Sequence, residues 1–413
     1  MSYLFSDAIT YKDSTSLDAF ARLRTSRPLV LLDSKQIFDN QPLFWDERKE
    51  PGSTGLFATY NSDRASTTIK ATSGATGFFT RQTYQRYNYQ AGKSMLILMT
   101  GVLGLTGGGP GIIRRAGYFD DDNGIFFEDT EGTINAVLRS SVTGAPVDQK
   151  VPQSQWNVDK FDGTGKSGIT LDPSKVQIIY IDFEWLGSGR VRMGFNIDGV
   201  NHVVHEFKSS NTIDSVYMSN SNLPVRYQVV ANNNNGDATL ECICATVVSE
   251  GGTSDVGVLR SQGATGITIT NNGNIYPIMG IRLKNDHLGA EITPVNVSVL
   301  GDGGSAIFEW FLILNPTISL NGGSFTYSDI NDADVERAVG DGAVTVTGGY
   351  ILETGFFSAD SRSAGIGGAA LVSSRKIGVA IDGTRDQLVL CAQQLSGAGN
   401  KTVYGALNWR ETP

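Results

Sequence analysis

The 413-residue sequence predicts an all-β chain: two antiparallel β-sandwiches in series behind an N-terminal arm. Three observations carry this. Apolar and polar residues alternate at period two through most of the chain, as in Val191, Met193, Phe195 and Ile197 interleaved with Arg192, Gly194 and Asn196. Turn signals such as Asn123-Gly124 and Asp198-Gly199 separate the alternating runs. Apolar residues at helical spacing occur in one early segment only.

Residues 1–30 form the arm. Ser16 caps a predicted short helix with Leu17, Phe20, Ala21 and Arg24 at helical spacing, ending before Pro28. Leu17, Phe20, Arg22, Leu23 and Arg24 are the candidate assembly contacts of this arm.

The first sandwich spans 31–250. Ala116–Asp120, Ile125–Glu128 and Thr133–Arg139 read as a meander around Asp121-Asp122-Asn123-Gly124 and Asp129-Thr130-Glu131-Gly132. Val176–Leu186, Val191–Ile197, Val200–Phe207, Leu223–Val230 and Leu240–Val248 are further strands. Residues 251–259 are the linker, since Glu250-Gly251-Gly252-Thr253-Ser254-Asp255 holds no apolar residue. The second sandwich, 260–413, is expected to use Gly266–Thr270, Ile275–Leu283, Glu291–Leu300, Ala306–Leu314, Gly342–Thr354, Lys376–Ile381, Gln387–Gln393 and Thr402–Trp409. No fixed-period repeat marks a propeller or solenoid.

Composition narrows the function. Glycine is 49 of 413 residues, about 12% against a usual ~7%, and charged residues are 18%. The 33 Lys and Arg against 42 Asp and Glu leave a net charge of −9, with no basic block, so nucleic acid and anionic membranes are not expected partners. The apolar run Met95–Leu105 is shorter than the roughly 20 residues a spanning helix needs. The first residues lack the basic and apolar regions of a secretory signal. Cys242 and Cys244 lie two apart in a strand, an awkward geometry for a mutual disulfide, and Cys391 is distant, so a reducing site of synthesis is expected.

Candidate chemistry is sparse. Gly92-Lys93-Ser94 and Gly165-Lys166-Ser167 end like phosphate loops, but Tyr87 and Lys160 replace the earlier glycine. Gly107-Gly108-Gly109-Pro110-Gly111 sits between strands and opens no helix. His202 and His205 fall on opposite faces of one strand, and His287 in a polar loop, so no metal pair is expected. Asp120, Asp121, Asp122 and Glu128, or Asp329, Asp332 and Asp334, offer oxygens for a hard cation without the regular spacing. No metal site and no cofactor are expected. The stretch Phe78–Tyr89 mixes aromatic and basic residues and can stack on bases or sugars, or simply pack as a strand.

Tyr180-Ile181-Asp182-Phe183-Glu184-Trp185 is the chemically richest segment. Along a strand Tyr180, Asp182 and Glu184 share a face, with about 6–7 Å between successive same-face residues. Retaining glycosidases place their carboxyls roughly 5–5.5 Å apart. Some β-sandwich glycoside hydrolases carry Glu two residues before the central Asp, where this chain has Tyr180. One catalytic carboxylate is therefore missing, and no catalytic residue is assigned.

Several segments resemble a poorly characterised family of virion-associated proteins of marine tailed bacteriophages and some large viruses. They are residues 17–26 (Leu-Asp-Ala-Phe-Ala-Arg-Leu-Arg-Thr-Ser), 32–36 (Leu-Asp-Ser-Lys-Gln) and 117–124 (Gly-Tyr-Phe-Asp-Asp-Asp-Asn-Gly). Residues 181–187, 189–192 and 222–227 belong with them, and 315–317 and 406–411 more weakly. The first unit is also similar, as a fold, to the concanavalin-type or jelly-roll sandwich. The resemblance implies a non-enzymatic virion structural protein, a head-surface or decoration subunit of the capsid or a tail-fibre subunit, made in the host cytoplasm. Its partners are then copies of itself and other virion proteins. Two alternatives stand beside it: a glycan-binding host-attachment module using Trp185, Tyr87 and Tyr89, and a glycosidase using Asp182 and Glu184.

Overall fold

The computed structural model describes residues 16–24, 27–104, 109–251, 257–270, 273–302, 304–359 and 376–412, and the backbone of 364–367. Two compact units divide the chain, one from residues 1–82 and 89–254, the other from 83–88 and 255–413. The short segment 83–88 thus groups with the second unit, where the Val379 amide donates to the Tyr84 carbonyl. A purely serial division does not include that excursion.

The first unit holds β1 (Leu29–Lys35), β2 (Trp45–Lys49), β3 (Thr54–Asn61), β4 (Ser66–Thr83), β5 (Met95–Val102), β6 (Ile112–Phe119) and β7 (Gly124–Thr130). It continues with β8 (Thr133–Ser140), β9 (Val147–Pro152), β10 (Gln177–Phe183), β11 (Arg190–Ile197), β12 (Val200–Lys208), β13 (Val225–Asn232) and β14 (Ala238–Ser249). Neighbours along the order β12-β11-β10-β5-β14-β4-β13-β6-β7-β8-β9 pair antiparallel, with β1 on β14 and β2 and β3 on β4 off this path. The first half of β4 pairs with β14 and its second half with β13, so this long strand carries the sheet from one layer to the other. The sheet curls until distant strands meet face to face. Tyr118 of β6 lies 5.5 Å from Phe183 of β10, and Phe127 of β7 stacks at 4.8 Å on Phe195 of β11. Those rings are fully buried, and burying an aromatic side chain removes about 150–250 Å² from water.

The second unit holds β15 (Val258–Ile269), β16 (Tyr276–Leu283), β17 (Glu291–Asp302), β18 (Ile307–Leu314), β19 (Thr317–Ser319) and β20 (Ser328–Asp329). It ends with β21 (Val335–Val339), β22 (Thr345–Thr347), β23 (Tyr350–Ser358), β24 (Ala364–Gly367), β25 (Gln387–Gln394) and β26 (Lys401–Thr412). A sheet ordered β15-β26-β17-β24 and another ordered β20-β21-β16-β25-β18-β23 share one core. Val297, Val403, Leu407 and Trp409 of the first meet Ile278, Ile281, Trp310 and Leu390 of the second. The fold is all-β.

Three local expectations fail. Residues 16–24 are not helical; they form a loop closed by a bridge between Leu17 and Leu23. Asp18 Oδ1 accepts from the Phe20 and Arg22 amides, both at 2.9 Å, and a side chain that captures nearby backbone donors competes with the helix. The predicted strand Gly342–Thr354 breaks at Gly348 and Gly349, whose φ values are 64° and 77°, giving β22 and β23. Lys376–Ile381 is no strand and carries one isolated bridge, Val379 to Arg385. Residues 1–15 of the arm and 252–256 of the linker lie outside the described residues. No described helix is long and apolar enough to cross a membrane.

Candidate functional site

Strand alternation sends Ile179, Ile181 and Phe183 of β10 into the core and Tyr180, Asp182 and Glu184 to the opposite face, as predicted. Register aligns Asp182 with Arg192 of β11, and Arg192 in turn with Glu206 of β12. Arg192 Nε donates to Asp182 Oδ2 at 2.8 Å, and the Tyr180 hydroxyl donates to the same oxygen at 3.1 Å.

The arm lies on this face. Arg24 Nη2 reaches Asp182 Oδ2 at 2.6 Å, and Arg24 Nη1 reaches Glu250 Oε1 at 2.5 Å. Arg192 donates to the Leu17 carbonyl and Arg190 to the Ala19 carbonyl at 3.4 Å. Leu17 and Ala19 are buried, while Arg22 and Leu23 are exposed. Of the five predicted arm contacts, Leu17 and Arg24 meet this face, while Arg22 pairs with Asp18 and lies over the Phe20 ring, and Leu23 bridges to Leu17, all within the arm.

Charge is balanced locally. Burial opposes the Arg24 charge, yet Asp182, Tyr180 and Glu250 together hold its pKa above the ordinary arginine value. Burial pushes the Glu184 carboxyl up, against the Arg190 backbone and side chain. Burial likewise raises Glu250, against Arg24. Asp18 is held low: burial works the other way but is outweighed by bonds from the Arg22 side chain and backbone.

Beside the arm, over β11 and β12, lies a cleft of about 470 Å³ bordered by Asp159, Lys166, Arg192, Asn201, His202 and Glu206, among others. Its rim is a loop held by Asp159. Asp159 accepts from the amides of Phe161 at 3.1 Å and Ser167 at 2.8 Å, and these bonds hold its carboxyl low despite burial. Phe161 has φ 50°, a left-handed conformation that bulky residues avoid and that surrounding structure must enforce. Gly165-Lys166-Ser167 belongs to this loop, and the Asp159 carboxylate occupies the space beside its amides that an anion would need.

The predicted aromatic platform does not form. Tyr87 and Tyr89 are 1% and 8% exposed and offer no free ring face. Tyr89 stacks on Phe183 at 5.7 Å. Trp185 is half-buried, edge-on to Tyr89, with its indole N–H on the Met218 carbonyl. Up to Thr83 the aromatic and basic stretch is strand packing in β4, where Arg81 is fully buried over the Trp45 ring and pairs with Glu47; residues 84–89 lie outside the strand. Several residues of the acidic loops have partners within the chain. Asp121 pairs with Arg226, Glu128 with Arg115 and Lys150, and Asp334 with His287. Among the described residues no group of three or more His, Cys, Asp or Glu is arranged to hold a metal ion. His205 is buried, with the Asn157 amide donating to its Nδ1, and His202 borders the cleft. Cys242, Cys244 and Cys391 are free.

Glu250, Asn201 and Glu206 escaped sequence reasoning as site residues, while Arg24, Arg192, Lys166 and His202 enter it in other roles. The one local signal for the β11 and β12 residues was the run of polar residues alternating along those strands.

No family model matches the chain, and no curated protein does. Among solved structures it is similar to an endo-1,3-beta-glucanase from Streptomyces sioyaensis at 9% identity, over 54% of this chain and 96% of that one, with a TM-score of 0.34. A glycoside hydrolase family 16 endo-glucanase from Bacteroides ovatus is similar at 12% identity, over 52% and 99%, with a TM-score of 0.33. A legume lectin-like domain from Entamoeba histolytica is similar at 9% identity, over 52% and 95%, with a TM-score of 0.30.

Proposed function

We propose that the first unit is a non-catalytic saccharide-binding module, with the cleft over β11 and β12 as its site. The observation that carries this is the division of labour around Arg192. Asp182, the residue a glycosidase would need free, is engaged by Arg192 and Arg24 beneath the arm. The adjoining cleft instead presents an amide, an imidazole, an ammonium and carboxylates on a preformed rim, donors and acceptors of the kind that hold sugar hydroxyls. Titration against immobilised neutral and acidic oligosaccharides tests it. Saturable binding that is lost in His202→Ala and Asn201→Ala chains supports the site, and unchanged binding in both removes it.

We further propose that the chain is a virion structural subunit that assembles with copies of itself. The sequence resemblance motivates this, and β23 supports it. Among the described residues β23 has one hydrogen-bonded neighbour, β18, and it exposes Tyr350, Ile351 and Phe356. Edge strands are normally blunted by charge or proline unless a partner covers them. Immunogold labelling of intact particles from the source tests this. Gold on heads assigns a capsid or decoration subunit, gold on tails a fibre subunit, and free antigen with unlabelled particles rejects the reading.

A further inference from the structure

We propose that the face bearing Asp182 and Glu184 is a docking site for an arginine-bearing peptide segment, filled in the isolated chain by its own arm and open to a competing segment of the same chemistry.

Charge complementarity is the first support. Without the arm the face carries four carboxylates, Asp182, Glu184, Glu206 and Glu250, against three cations, Arg190, Arg192 and Lys208. Residues 17–24 bring two arginines, Arg22 and Arg24, and one carboxylate, Asp18. A net-negative face thus meets a net-positive segment.

The second support is what the arm leaves unsatisfied. Arg24, Arg192 and Tyr180 all address Oδ2 of Asp182, while Oδ1 is buried and has no hydrogen-bond partner among the described residues. Glu184 Oε2 is in the same condition. Asp182 is fully buried and Glu184 is 9% exposed. Buried acceptors without donors are costly, and a guanidinium fork engages both oxygens of a carboxylate when its approach allows. The arm fits this face without exhausting it.

The third support is how the arm is held. Its grip is the Arg24 pairs, two of its own backbone carbonyls, and the small apolar contacts of Leu17 and Ala19. Backbone carbonyls are common to any peptide, so only the arginine and its small neighbours carry identity. An open space of about 370 Å³ runs beside Asp18, Arg24 and Glu250 toward Lys93 and Gly251, giving an incoming segment room to approach.

The test uses the full-length chain and a fluorescein-labelled peptide of residues 16–26, titrated by anisotropy. The Arg24→Ala chain is expected to bind the peptide saturably and at least tenfold more tightly than the unaltered chain. A peptide with alanine in place of its Arg24 is expected to lose at least tenfold. In parallel, trypsin cleavage after Arg22 is expected to quicken at least tenfold in Arg24→Ala. Arg24→Lys keeps the charge and the fold and is expected to fall between the two chains in both assays. Equal peptide affinity across the three chains overturns the proposal, as does faster arm cleavage without peptide binding. No sugar enters either assay, so its failure and that of the saccharide reading are separable.

Discussion

Arg24 Nη2 sits 2.6 Å from Asp182 Oδ2, and Arg192 Nε addresses the same oxygen at 2.8 Å. One carboxylate thereby ties the arm, β10 and β11 together, out of contact with water.

Removing that carboxylate leaves two guanidiniums facing a neutral group. Asp182→Asn is expected to cost on the order of 3–5 kcal/mol, the range for breaking a buried pair from one side. Urea denaturation measures it, and a cost below about 0.5 kcal/mol, the scatter of ordinary surface changes, refutes the role.

His205 provides a pH signature. Burial pushes its pKa from 6.5 down to about 4, and the Asn157 amide pointing at Nδ1 suits the neutral ring. Between those two values the unfolded chain takes up a proton that the folded chain refuses. Stability therefore falls as pH is lowered through this window, with a slope of up to about 1.4 kcal/mol per pH unit from this residue. Urea midpoints from pH 7 to 4 check it: His205→Phe is expected to flatten the profile, and an unchanged slope removes His205 as its source.

Gly194 faces the cleft side of β11, opposite an irregularity in the pairing with β12. A Cβ there would lie 1.9 Å from the His202 carbonyl oxygen, a backbone atom that cannot swing aside. Gly194→Ala is expected to lower the melting temperature by several degrees, since about 1–3 kcal/mol is typical of overpacking. An unshifted melt shows that β12 yields freely.

Lys166 is exposed on the cleft rim. Lys166→Ala is expected to leave stability within about 0.5 kcal/mol while weakening saccharide binding by roughly tenfold, the equivalent of about 1.4 kcal/mol. Unchanged affinity in glycan titration takes the rim loop out of the site.

The thiols differ in reach. Cys242 and Cys391 are fully buried, and burial pushes the Cys242 pKa up to about 12. Cys244 is half-buried, with burial and then Asp33 raising its pKa. A thiol-reactive disulfide reagent without denaturant is expected to modify Cys244 slowly and the other two not at all. More than one modified thiol per native chain contradicts this.

Most strands were legible because their signal is local. The alternation of Val191 to Ile197, and of Tyr180, Asp182 and Glu184 against Ile179, Ile181 and Phe183, is written in adjacent residues and survives folding unchanged. The helix read into Leu17–Arg24 failed because the spacing is ambiguous over so few residues and Asp18 captures backbone donors in a turn. The aromatic platform failed for another reason: Tyr87 and Tyr89 carry no local mark of which side another segment covers.

By itself, then, the sequence determined the β class, the turns and which side chains share a strand face, since these depend on neighbours within a few residues. Tertiary structure alone decided that Arg24 meets Asp182 and Glu250, that Arg192 stands between a sealed face and an open cleft, and that the carboxylate of Asp182 is paired. Those relationships arise from a curled sheet that brings distant segments into contact, and ion pairing across such distances leaves no periodic trace along the chain.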